Sequence, residues 1–289
     1  HKICIFAQID FLLMKKLGVA FATTLAIFSS FSCANQFNQV YKSSDYNYKY
    51  EYAKESFFAK KYARAIVLFS DVVTLQKGTE NGQECLYLLG LSQYLNKDYA
   101  EASKTFRTYC NSYPKGLYAE NAKFYIGQSL YMGSPESRLD QTPTLSAITA
   151  FQDYLDNYPN ARNEEVAHKR LFALQDKLVQ KELHSAQLYY DLGTYFGNCT
   201  SGGNNYEACI ITAQNALKDY PYTNLREDFA LLIMKSKFEL AQQSIESKKQ
   251  DRFQDAEDEC YGFINEYPNS KYNTLAQKYI LKCKEFTHK

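Results

Sequence analysis

The sequence predicts an all-α fold, a tetratricopeptide-repeat solenoid of about five helix-turn-helix repeats with a C-terminal capping helix. Three observations predict it. Apolar and aromatic residues recur at helical rather than strand intervals. The 289 residues hold only 12 Gly and 6 Pro, few for a sheet-rich fold with its many turns, while 45% hydrophobic content supports a sizeable core. Residues 83–114 also read as one complete repeat. Leu86, Leu89 and Gly90 share one face of a first helix, and Ala102, Phe106 and Tyr109 share one face of a second. Small Gly90 and Ala102 admit close approach of the two backbones, Phe106 fills the gap beside them, and Pro114 ends the second helix.

Taken in order, the chain opens on a processing signal. Residues 1–13 precede the first methionine and read as upstream sequence or a misassigned start; Met14, Lys15 and Lys16 then form a basic region. The apolar run over residues 17–28 is too short to span a bilayer. Ser30-Phe31-Ser32-Cys33 resembles a bacterial lipobox, with Cys33 as the lipidation site and Ser30 where Leu is usual. An ordinary secretory signal cleaved nearby is the alternative. Removing residues 1–32 takes 3 of 33 basic and 1 of 32 acidic residues, which leaves 30 and 31 and a formal charge of −1.

Residues 33–42 read as a tether, residues 43–159 as repeats one to three, and residues 160–289 as a long connector helix, repeats four and five and the cap. Ser43-Ser44-Asp45 offers an N-cap to a helix bearing Tyr50, Ala53, Phe57 and Phe58. A step of 37 residues carries Tyr62, Ala65 and Phe69 of repeat one onto Tyr99, Ala102 and Phe106 of repeat two, with residues 77–82 as the turn between. Repeat three places Phe124 and Gly127 on its first helix and Ala147, Phe151 and Tyr154 on its second, ahead of Pro159. Its inner turn is enlarged, since 20 residues separate Gly127 from Ala147 against 12 between Gly90 and Ala102. Residues 163–196 predict one long helix or two end to end, charged on the outer face. A Gly- and Asn-rich turn at 197–205 leads to Cys209, Ala213, Ala216 and Pro221 of repeat four. Repeat five reads as a long first helix over 225–248 and a second bearing Phe253, Ala256, Cys260 and Phe263 before Pro268. Residues 272–286 form the capping helix.

The 37-residue step also links Tyr50, Tyr87 and Phe124, and Phe57, Tyr94 and Tyr131. These two aromatic ladders predict a groove that stacks on an unfolded peptide, Tyr94 and Tyr131 being the exposed members. The alternative for Tyr50, Tyr87 and Phe124 is packing between helices of adjacent repeats. Six cysteines remain after Cys4 and Cys33 are set aside: Cys85, Cys110, Cys199, Cys209, Cys260 and Cys283. Repeat geometry suggests the pairs Cys85–Cys110, Cys199–Cys209 and Cys260–Cys283 in an oxidising compartment; reduced, they are small core residues.

Composition argues against several functions. A formal charge of +1 with interspersed signs gives no field for nucleic acid. Of the four histidines His1 lies in the leader and His288 at the tail, which leaves His168 and His184, 16 residues apart and at no metal-ligand spacing, and no glycine-rich phosphate loop or nucleophile elbow is present. No enzyme, metal or cofactor is predicted. The 26 Tyr and 19 Phe suit half-apolar, half-wet binding surfaces.

Residues 77–159, with SPESRLDQT at 134–142 in the enlarged turn, resemble the BamD family of lipoproteins of the outer-membrane β-barrel assembly machinery. The likeness extends through the connector and the ALKDYPYT and FINEYPNSKY segments, and the Tyr-, Asn- and Lys-rich composition resembles the Bacteroidota branch. The resemblance implies a lipid-anchored protein of the outer membrane, facing the periplasm. Its C-terminal repeats would hold the periplasmic domains of the barrel-forming partner, and its N-terminal ones would receive unfolded outer-membrane proteins. A periplasmic repeat protein of cell-envelope or cell-division complexes is the second reading. It usually carries a coiled coil ahead of fewer repeats, and no heptad run precedes Tyr46.

Overall fold

A computed structural model describes residues 36–195 and 204–287. The predicted signal peptide, the lipidation site Cys33, and Cys199 with most of its turn lie outside the described residues. Within them the chain is helical: α1 (36–42), α2 (Tyr46–Phe58), α3 (Tyr62–Leu75), α4 (Glu80–Leu95), α5 (Tyr99–Ser112), α6 (Ala119–Gly133), α7 (Thr142–Asn157), α8 (Glu164–Leu192), α9 (Asn205–Asp219), α10 (Arg226–Gln242), α11 (Glu246–Glu266) and α12 (Asn273–Thr287). Two compact units divide after Met132. In each, helices adjacent in sequence pack on one another, and α2 touches α4 as α8 touches α10, the packing of a tetratricopeptide-like stack.

Local chemistry sets most helix ends. The Asp45 carboxylate accepts from the Asn47 and Tyr48 amides at 3.0 Å and caps α2, and Thr79 caps α4 through the Gly82 amide at 3.0 Å. The turns inside repeats one and two are equivalent atom for atom. Lys60 and Lys97, one 37-residue step apart, take left-handed φ of 59° and 70°. Beside them Lys61 N–H donates to Ser56 O and Asp98 N–H to Gln93 O, each at 2.8 Å, the six-to-one bond that closes a helix. Second helices stop on a Tyr-Pro pair. Tyr113, Tyr158, Tyr220 and Tyr267 leave the helix with ψ between 63° and 67°, because the proline that follows bars helical geometry from the residue before it.

The enlarged turn of repeat three, residues 134–141, is held by buried Gln141. Its amide donates to Glu136 O at 2.7 Å and Leu139 O at 2.9 Å, and its oxygen accepts from the Thr144 hydroxyl at 2.7 Å. The connector is one helix, α8, of 29 residues. Its buried residues fall on two stripes, Ala167 with Leu174 and Val179 with Ala186, and the second joins the core that α9 and α10 build. It ends at Gly193, where φ is 48° and an added Cβ would lie 2.7 Å from the Tyr206 hydroxyl, so only glycine fits.

Two elements differ from the sequence reading. The turn expected over 77–82 is shorter, because Thr79 caps a helix that starts at Glu80. The first helix of repeat five, expected over 225–248, ends at Gln242. Ser244 turns its hydroxyl back to Leu240 O at 2.6 Å and accepts from Arg252 at 2.8 Å, and Ile245 is extended, with ψ 152°. Residues 246–248 therefore begin α11 rather than end α10. Helix α10 is buried nearly all round: Phe229 and Leu232 join the core with α8 and α9, Met234 that with α11 and α12, and Phe238 a further cluster with Phe253 and Cys283.

Candidate peptide-binding site

The first unit carries the aromatic side chains singled out by the 37-residue step. Tyr50, Tyr87 and Phe124 are buried. Tyr50 lies edge-on to Phe69 at 6.4 Å, its hydroxyl donates to the Glu84 carboxylate, and the Lys54 ammonium sits 4.8 Å above its ring. Tyr87 stacks on Tyr118 with centroids 4.4 Å apart and planes 4° from parallel, and meets Phe106 and Tyr109 edge-on at 5.9 and 6.0 Å. Phe124 packs edge-on to Tyr125 at 5.6 Å. This ladder packs between helices. Burial raises the Tyr50 and Tyr87 hydroxyls well above the usual tyrosine value, at Tyr50 with help from Glu84, so both stay neutral.

The second ladder is half-buried. Phe57 meets Phe58 and Tyr62 edge-on at 5.5 and 5.9 Å. Tyr94 meets Tyr99 at 5.6 Å and Tyr125 at 5.2 Å, and its hydroxyl accepts from the Gln128 amide at 3.2 Å. An accepting hydroxyl keeps its own proton to donate, so Tyr94 can bond a peptide carbonyl while its ring supplies an apolar flank. Tyr131 is likewise half-buried, one turn beyond Gln128 on α6.

Sequence reasoning missed Tyr118, Tyr125 and Gln128. One step back from them stand Asn81, Leu88 and Leu91, so no aromatic periodicity marked them.

The five described cysteines are free thiols. Cys85 is buried and donates to Phe69 O at 3.5 Å, whereas Cys110 faces Ala119 O at 4.0 Å, so the two face different neighbours. Cys260 and Cys283 lie on packed helices α11 and α12, and burial pushes both thiols up to about 12. His168 is exposed, 3.9 Å from Glu164, and His184 is exposed on α8. Among the described residues no group of three His, Cys, Asp or Glu is placed to hold a metal, and no helix is long and apolar enough to cross a membrane.

Stacked helix pairs, Tyr-Pro stops and a half-buried aromatic face define a helical-repeat protein of tetratricopeptide type. The chain belongs to the YfiO family, described as an outer membrane lipoprotein, which matches residues 42–252. It is similar to the outer membrane protein assembly factor BamD of Caulobacter vibrioides, 24% identical over 180 residues that cover 61% of this chain and 59% of that protein. The factor of the same name from Rickettsia prowazekii is 23% identical over 130 residues, 45% of this chain and 52% of that protein. The chain thus spans between half and three fifths of the length of these relatives.

Proposed function

We propose that this chain is a non-catalytic scaffold for outer-membrane protein assembly, held at the outer membrane by a lipid on Cys33 and facing the periplasm. Repeats four and five, α9 to α11, hold the periplasmic domains of the barrel-forming partner. The face of the first three repeats receives unfolded outer-membrane proteins. The observation that carries this reading is the family match, which runs from the first repeat into α11 and includes the enlarged turn and α8. Purification of the tagged chain from detergent-solubilised membranes is expected to bring down a large β-barrel protein. Recovery of peptidoglycan-synthase complexes with no barrel protein would assign the envelope-coordination reading instead.

The groove residues are Phe57, Tyr94 and Tyr131, with Tyr50, Tyr87 and Phe124 as the packed layer beneath them. Replacing Tyr94 and Tyr131 together by Ala is expected to weaken binding of a barrel C-terminal peptide at least about tenfold, or about 1.4 kcal/mol, with helicity kept. An unchanged affinity by fluorescence anisotropy would move the substrate site elsewhere.

A further inference from the structure

Three adjoining clefts in the second unit share one residue, His184. The first, of about 400 Å³, lies between residues 137–138 of the enlarged turn and α8, and is lined by Ser137, Arg138, Lys181, Ser185 and Asp191 besides His184. The second, of about 320 Å³, shares His184 and Gln187 with it and is lined by Leu183, Leu231, Leu232 and Leu275 together with Asp228, Lys235 and Tyr272. The third, of about 580 Å³, adds Glu136, Asp176 and Lys177 on the other side.

The placement follows from the fold. Lys177, Lys181 and His184 stand at intervals of four and three on α8, one face of a helix. Gln141 pins the turn that brings Ser137 and Arg138 to that face. Charge in the first cleft is out of balance. Lys181 is half-buried, and neither it nor Arg138 has a carboxylate partner among the described residues. Lys177 is bonded only to a neutral hydroxyl, Ser134 at 2.6 Å. Three other half-buried cations of this unit are paired with carboxylates, Lys237 with Asp255 and Glu259 at 2.9 and 2.8 Å, Arg252 with Glu207 at 2.7 Å and Arg226 with Glu266 at 3.0 Å, while Lys235 of the second cleft sits over the Tyr190 ring at 4.0 Å. Of the carboxylates nearby, Asp191 is engaged by the Gln187 amide at 2.7 Å, Glu136 and Asp176 line the third cleft, which Ser137 and Arg138 also line, and Asp228 lines the second.

We propose that the first two clefts together bind a phosphate ester carrying an apolar group, such as a phospholipid. Arg138 and Lys181 neutralise the phosphate, with Ser137 and His184 as hydrogen-bonding partners. Guanidinium and ammonium groups suit that anion because charge-assisted bonds are short and strong. The four leucines of the cleft next to it take the apolar portion, which distinguishes an amphiphile from a free anion, and Lys235 on the same wall offsets Asp228. The site stands on these residues whether or not the assembly-factor reading holds.

The test is calorimetric titration of the full chain with short-chain phosphatidylglycerol below its micelle concentration, and separately with inorganic phosphate. The amphiphile is expected to bind at least about tenfold tighter than phosphate, and R138Q/K181Q to weaken both by a similar factor without changing the circular dichroism. Equal affinity for the two probes would overturn the amphiphile assignment. Absence of binding by both, or binding that survives R138Q/K181Q, would overturn the site. Co-purification of the barrel protein by R138Q/K181Q is expected to be unchanged, which separates this result from failure of the assembly reading.

Discussion

Replacing Phe106 by Ala is expected to cost about 3–5 kcal/mol, the range for deleting a fully buried aromatic ring. Phe106 has no exposed surface. Its ring lies nearly parallel to Tyr125 at 5.3 Å, meets Tyr87 edge-on at 5.9 Å, and covers Gly90, where an added Cβ would sit 2.7 Å from the ring. One side chain therefore joins α4, α5 and α6. The neighbours are themselves large rings held by stacking, so the cavity does not collapse easily. Gly90→Ala is expected to destabilise the protein as well, by forcing the ring aside, yet to cost much less in the Phe106→Ala background where the ring is gone. Guanidinium unfolding of the two single mutants and the double mutant gives the coupling. A loss under about 1 kcal/mol for Phe106→Ala, or additive losses in the double mutant, would show that Phe106 is not the joint of these three helices.

Phe238→Ala is expected to be comparably severe, about 3–5 kcal/mol, and to act on a particular element. Phe238 is buried in α10 and stacks flat on Tyr279 of α12, centroids 3.9 Å apart and planes 6° from parallel. It also meets Phe253 of α11 edge-on at 6.2 Å, and Phe253 in turn stacks on Phe286 of α12 at 4.2 Å. The capping helix is thus fastened by two stacked pairs, both of which lean on Phe238. Hydrogen exchange in the mutant is expected to accelerate first over residues 273–287, because a repeat stack held by neighbour contacts opens from its loosened end. Exchange that accelerates uniformly through α8 to α12 would mean that α12 is not the element Phe238 secures.

Much of the fold was legible in the sequence because the signals that end helices are local. Asp45 needs only the two amides within three residues of it, and each Tyr-Pro pair blocks its own helix. The candidate aromatic face was legible only in part. Tyr87 and Tyr94 stand seven residues apart on α4, about 20° from the same face, so periodicity cannot separate them. Tyr118 and Phe106 close over Tyr87, whereas Tyr94 is half-buried, its hydroxyl bonded to the Gln128 amide.

The sequence by itself determined the helical class, the repeat positions and most of the helix stops, since each depends on residues within a turn or two of one another. Only the tertiary structure decided where α10 ends, through Arg252 reaching Ser244, and which tyrosines are core. It also decided that Arg138 and Lys181 line one cleft with His184. Those outcomes depend on which distant helix packs against a side chain, and burial of that kind has no period in the chain.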